Sequence, residues 1–220
     1  MRIKHIFLFF ITIFVFYSCD KFGGSSQGVI TYELKYLEDE KDKPVISLLP
    51  TEMKFYYKDN NTCQKVEGWM SIFSIIGISD FKTGTRYALL KIMADKYMYK
   101  STGNTAFGYD EMKGKKIKFT KETKEIAGYK CKKAIVEYKG DEYEVYYTDK
   151  IKIKDPNWNN PYKEINGVLM KYQISMFGIK TEITATKVEN IEIDDNNFVV
   201  PDGYNEVTKQ KMEDVINNLM

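Results

Sequence analysis

Along most of this chain the apolar residues return at every second position, and that period restricts the fold more than any other feature. From Val29 to Leu37, Ile30, Tyr32, Leu34 and Tyr36 fall on one side of an extended strand, with Thr31, Glu33 and Lys35 on the other. Met53, Phe55 and Tyr57 repeat the pattern. Further strand-like runs are 63–67, 70–78, 86–93, 96–100, 117–125, 129–139, 143–148, 169–177 and 181–193. Turn chemistry separates them: Asp59-Asn60-Asn61, Gly77 to Asp80, Lys82-Thr83-Gly84, Ala127-Gly128, Lys139-Gly140-Asp141 and Gly178. Ten or eleven strands joined by such short turns predict a mainly β, antiparallel meander in one domain. The run RYALLKIM, 86–93, is apolar on both faces, so the sheet is expected to be covered on both sides or wrapped around an interior. Helix is scarce. Pro44 to Leu49 suggests one helical turn. After Pro201-Asp202-Gly203, the residues Val207, Met212, Val215, Ile216 and Leu219 recur at helical spacing behind Asn205 as a candidate N-cap.

The first residues obey a different rule. Arg2 and Lys4 precede Ile6–Phe16, eleven residues that are apolar except for Thr12. A span needs about 20 apolar residues, so this run fits a secretion signal rather than a membrane helix. It ends at Tyr17-Ser18-Cys19, and a small residue directly before cysteine resembles the lipobox of bacterial lipoproteins. Phe16 and Tyr17 are bulkier than that pattern usually carries. The resemblance implies a signal peptide over 1–18, a lipid (diacylglyceryl and palmitate-type acyl chains) on Cys19, and a short tether over 19–27. A single β-rich domain would then occupy 28–220 of an envelope protein facing the periplasm or the cell surface. Asp20 would signal inner-membrane retention under the proteobacterial sorting rule, and the choice of membrane and leaflet stays open.

What is left narrows the chemistry. His5, the one histidine, departs with the signal, which removes imidazole from catalysis and from metal binding. The chain is therefore expected not to be an enzyme, and no cofactor or metal is expected. Cys63 and Cys131 then remain, either bridged or packed as two thiols. The 33 basic and 31 acidic residues nearly cancel, which argues against nucleic acid as a partner. The basic stretch 113–124 reads as a solvated hairpin edge. Asp155-Pro156-Asn157-Trp158-Asn159 starts like a calcium loop, but Asn160 and Asn166 stand where glycine and glutamate belong, so a turn is expected. Glu142 with Glu144, and Asp194 with Asp195, are the nearest approach to paired carboxylates, and both read as wet surface.

Ile126-Ala127-Gly128-Tyr129-Lys130-Cys131-Lys132-Lys133-Ala134 followed by 143–148 is similar to paired strands of a family of uncharacterised Bacteroidota lipoproteins. The stretch 165–170 stands in the place of the GLPGLI segment of a related family, without its proline and second glycine, and the ending 198–204 fits as well. The resemblance covers most of 27–220, most closely from about 117 onward. It implies the fold of the LolA/LolB/LppX carriers, a strongly curved half-barrel of about eleven strands with helices on its concave side. It implies no activity and no catalytic residues.

In such a half-barrel, Tyr32, Tyr36, Phe55, Tyr57, Tyr87, Leu89, Tyr143, Val145 and Tyr147 would line a pocket for a lipid or other apolar ligand, or else form the core beneath the helices. The expected function is thus a tethered, non-catalytic binder of a hydrophobic or amphiphilic ligand. The alternative is an accessory envelope protein that binds another protein through a sheet face or edge.

Overall fold

The computed structural model describes residues 25–38, 44–68, 72–103, 112–176 and 178–218, so the expected signal segment, Cys19, most of the expected tether and Leu219 lie outside it. The strands are β1 (Gln27–Tyr36), β2 (Glu52–Lys58), β3 (Asn61–Glu67), β4 (Phe73–Asp80), β5 (Thr85–Ile92), β6 (Asp95–Thr102), β7 (Lys116–Ile126), β8 (Tyr129–Tyr138), β9 (Asp141–Thr148), β10 (Val168–Met176), β11 (Ile179–Glu189) and β12 (Asn205–Glu206). A 3-10 turn spans Pro44–Leu48, a second spans Asp195–Phe198, and one helix, α1, covers Lys209–Asn217. The N-cap of α1 is Thr208, whose side chain accepts from Lys211 N, and not Asn205, which pairs with Tyr97 in β12. No described helix is long and apolar enough to cross a membrane.

All twelve strands share one open sheet, in the order β12-β6-β5-β4-β3-β2-β1-β11-β10-β9-β8-β7. Two antiparallel meanders therefore meet at β1, a first wing of β2 to β6 and a second wing of β11 back to β7. Tight turns set the hairpins. Lys139 and Gly140 both take positive φ, 51° and 87°, between the paired ends Tyr138 and Asp141; that conformation matches the right-handed twist of the strands, and glycine adopts it without strain. Gly28 answers a different need, since a β-carbon there would lie 2.6 Å from the Tyr57 hydroxyl, which crosses it.

The sheet is curled. Leu90 of β5 and Ile174 of β10 line the same cavity, although six strand spacings separate them, roughly 29 Å on a flat sheet. The two wings therefore turn their inner faces toward each other across a trough. An open, curled sheet of twelve strands agrees with the expected half-barrel architecture.

The largest apolar cluster follows this inner face through β1, β2 and β8 to β11, with Ile30, Ala134, Val136, Val145 and Met170 fully buried. On the first wing α1 lays Met212 and Ile216 against Leu90. The outer face of that wing is apolar too. Cys63, Ile76, Ile78 and Leu89 lie under Phe198, Val200 and Tyr204 of the chain that leads to β12. The two-sided apolar character of 86–93 is thus satisfied by a helix inside and a strap outside.

Candidate functional site at the mouth of the trough

The residues expected to line one apolar pocket are divided. Five of them fill the core. Phe55 stacks on Tyr57 with ring centroids 6.4 Å apart, and Tyr32 meets Phe55 edge-on at 6.4 Å. Tyr172 continues the row against Tyr32 at 6.3 Å, and Tyr162 against Tyr172 at 6.0 Å. Each such pair adds about 0.5–1.5 kcal/mol beyond simple burial. Val145 and Tyr147 pack into the same cluster. Buried hydroxyls require partners. Tyr32 donates to the Leu169 carbonyl at 2.8 Å, Tyr57 to Asn190 Oδ1 at 3.3 Å, and Tyr162 to the Gln173 carbonyl. Burial, the main cause, pushes the Tyr32 phenol far above its ordinary value and that of Tyr57 up to about 12. These rings are neutral structural members.

Tyr36, Tyr87 and Leu89 border a different cavity, of about 80 Å³, between α1 and the inner face. Their relation to it is unequal. In β5, Ala88 and Leu90 alternate with Tyr87 and Leu89, and the latter two pack in the outer cluster with Phe198 and Tyr204. Ligand pockets usually hold about 300–1,000 Å³, so this cavity is far short of what an acyl chain needs. The single aromatic pocket expected from the sequence does not form, because register sends Tyr87 and Leu89 to one face and Tyr32 and Phe55 to the other.

Cys63 and Cys131 are both buried and unbridged. They belong to the outer cluster of the first wing and the inner core respectively, so the bridge does not form. Burial lifts the thiol of Cys63 to about 12 and that of Cys131 to about 11.

One end of the trough is closed. The β9–β10 connection, 149–167, folds over it: Asn159 Nδ2 donates to Ser79 Oγ at 2.7 Å, and Trp158 meets Phe81 edge-on. Asn157 Nδ2 donates to the carbonyls of Ile165 (2.7 Å) and Gly167 (2.8 Å), so this residue of the calcium-like stretch is engaged in holding the loop. Among the described residues no His, Cys, Asp and Glu group is arranged for a metal.

At the other end lies a mouth. A cleft of about 210 Å³ opens there, between the β8–β9 and β10–β11 turns. Tyr138 and Tyr143 are half-buried in its wall, and Met112 and Ile174 are buried in its floor. The Tyr143 and Tyr162 hydroxyls share a hydrogen bond at 2.9 Å, which ties the wall to the core row. Asp141 and Lys180 form an ion pair on the rim. Glu38 Oε1 accepts from Lys180 N at 3.0 Å, and Lys139 Nζ stands 4.9 Å from the Tyr138 ring centroid. Only Tyr143 of this group was legible as a candidate from the sequence. The charged members sit at turns and strand ends, where alternation carries no signal.

The outer face of the second wing carries ions instead of an apolar cover. Lys133 bridges Glu144 at 2.7 Å and Glu122 at 3.0 Å, Tyr146 donates to Glu144 at 2.9 Å, and Lys171 pairs with Glu182 at 3.2 Å. The hydrogen bond from Lys133 holds the Glu144 carboxyl below its ordinary value, and the bond to Glu144, then that to Glu122, hold the Lys133 ammonium above its own. Glu144 is thus an ion-pair partner, and Glu142 does not join this cluster of contacts.

Comparison with known proteins changes the functional expectation. Residues 96–200, slightly less than half of the chain, match the family described as "N-glycanase peptide, N-terminal domain". Two solved structures of PNGF-II are similar in fold. One, in space group P21, is 16% identical with a TM-score of 0.55 and covers 89% of this chain. The other, in space group C2, is 18% identical with a TM-score of 0.54 and covers 88%. This chain spans only about a third of those proteins, 34% and 33% of their lengths. No curated protein matches it. The expected kinship with the LolA/LolB/LppX carriers is not supported by these matches, and no Bacteroidota lipoprotein family emerges from them. The expectation of a chain outside enzymes is corrected as well, because the family matched is that of a peptide-N-glycanase. The expected loss of His5 bore on imidazole chemistry only; carboxylates, lysines and tyrosines are available for chemistry in any case.

Proposed function

We propose that this chain is a membrane-tethered module that engages N-glycosylated polypeptide and serves peptide-N-glycanase-type chemistry at the cell envelope. The observation that carries the reading is the match of residues 96–200 to the N-glycanase N-terminal domain, because that segment contains β7 to β11 and thus most of the mouth of the trough. The similarity in fold to PNGF-II over 89% of the chain supports it.

The geometry suits a tethered role. The lipobox-like Cys19 precedes β1 by a few residues, and β1 begins at the closed end of the trough. Its ten residues extend roughly 33 Å toward the mouth. An anchor at Cys19 would therefore hold the closed end against the bilayer and turn the mouth outward.

The test uses the full chain and an N-glycosylated protein beside the same protein stripped of its glycans. Selective retention of the glycosylated form is expected. Mass spectrometry of the bound protein reports in parallel whether glycan is released and the glycan-bearing Asn becomes Asp. Absence of both selective retention and glycan release would refute the reading.

A further inference from the structure

We propose that the mouth cleft between the β8–β9 and β10–β11 turns is a binding site for a single neutral pyranose ring, a proposal that rests on the glycoprotein reading and names which part of the ligand the cleft holds. Four features of the cleft converge on that chemistry. Its walls are aromatic. Tyr138 and Tyr143, half-buried, offer ring surface to a ligand with a flat apolar face, and sugar C–H groups present one. Its floor is apolar, with Met112 and Ile174 both buried, which suits a methyl substituent such as that of an acetamido group.

Its rim is polar and balanced in charge. Asp141 and Glu38 supply carboxylate oxygens that accept two hydrogen bonds each, and Lys139 and Lys180 supply ammonium donors. Two negative and two positive groups leave no net attraction for an ion. They do offer acceptors and donors side by side, which is what neighbouring hydroxyls on a ring require. Asp141 and Lys180 are each about half exposed, 59% and 49%, so a ligand hydroxyl can reach both partners of the ion pair from the solvent side.

Size sets the last limit: at about 210 Å³ the cleft lies below the usual range of small-molecule pockets, about 300–1,000 Å³, so it is on the scale of one ring and leaves the rest of a chain of sugars outside. All five of Tyr138, Lys139, Asp141, Tyr143 and Lys180 fall inside the segment that matches the N-glycanase N-terminal domain.

The experiment measures binding to the full chain, held in a detergent without sugar headgroups, of an N-glycopeptide, the same peptide without glycan, and methyl N-acetylglucosaminide. Tyr138→Ala and Asp141→Asn alter the cleft, Lys152→Ala at the closed end is the control, and thermal midpoints verify folding. The expected result is binding of the glycopeptide and of the free pyranoside, both weakened at least about tenfold by either cleft variant and untouched by the control. Glycopeptide binding that is indifferent to both cleft variants would overturn the cleft while sparing the glycoprotein reading. Equal binding of the two peptides, both weakened by the variants, would make the cleft a polypeptide site and overturn the sugar assignment. Absence of binding to every ligand would overturn both.

Discussion

The two wings of the sheet are built from the same alternating strands, yet they finish their outer faces in opposite ways. On the first wing Cys63, Ile76, Ile78 and Leu89 face outward and need Phe198, Val200 and Tyr204 as cover. On the second wing the equivalent face carries Lys133 between Glu122 and Glu144, and Lys171 beside Glu182. Inside, the order reverses. The first wing must be completed by α1, whose Met212 and Ile216 lie on Leu90, whereas the second wing supplies most of the core from its strands and the β9–β10 connection. The aromatic row joins the two wings, from Phe55 and Tyr57 of β2 through Tyr32 of β1 to Tyr172 of β10 and Tyr162. The first wing is thus stabilised by parts brought from the C-terminal end of the chain, and the second by its own strands and the connection between two of them. The mouth cleft opens in the second wing, where the framework is held by packing that an occupant need not disturb.

That contrast can be broken at its strongest point first. Tyr32 lies in β1 where the wings meet, 3% exposed, so Tyr32→Ala is expected to cost about 3–5 kcal/mol and to lower the denaturation midpoint of the whole domain in one transition. A smaller or purely local effect would mean that the aromatic row does not join the wings. Leu89→Ala comes next, at about 2–5 kcal/mol, and its effect is expected to stay in the first wing. Hydrogen exchange should rise in β3 to β6 and remain slow in β8 to β10. The two thiols give an independent reading, since both are buried and their ionisation is held off to about 12 and about 11. A thiol reagent at neutral pH should reach neither in the native protein, and Leu89→Ala should expose Cys63 before Cys131.

Thr208→Ala removes the cap that accepts from Lys211 N and should cost about 1 kcal/mol. Exchange should increase in α1 and β5 without a change at Tyr32. The smallest expected effect belongs to the Lys133 cluster of the second wing, whose carboxylates Glu122 and Glu144 are half exposed or more and screened by solvent. Glu144 sits below its ordinary 4.5, so its stabilising contribution is present above that pH and is lost as pH falls through the lowered value. Lys133 sits above its ordinary 10.5, so its contribution is present below that pH and is lost as pH rises through the raised value. Acid titration of unfolding should therefore become slightly shallower in Glu144→Gln. An unchanged acid limb would show that the cluster is placed for something other than stability.

Much of this architecture is legible in the sequence. Alternation marked nearly every strand, the Ala127-Gly128 and Lys139-Gly140 pairs marked hairpin turns, and the helical spacing of Met212, Val215 and Ile216 marked α1. The two-sided run 86–93 required cover on both faces, and it has it. These are local properties, written by backbone geometry into a few consecutive residues.

Other features were decided by the tertiary structure alone. Alternation sorts the residues of one strand into two faces, but it does not say which face of one strand matches which face of another. Register settles that, and it placed Tyr87 and Leu89 outside while Tyr32, Phe55 and Tyr57 went inside. Register likewise put Cys63 and Cys131 in separate clusters. The mouth cleft is the clearest case. Glu38, Met112, Asp141 and Lys180 are far apart in the chain and sit at strand ends, turns and connections. They become one site only because a curled sheet brings the ends of several strands together, and no period in the sequence records that meeting.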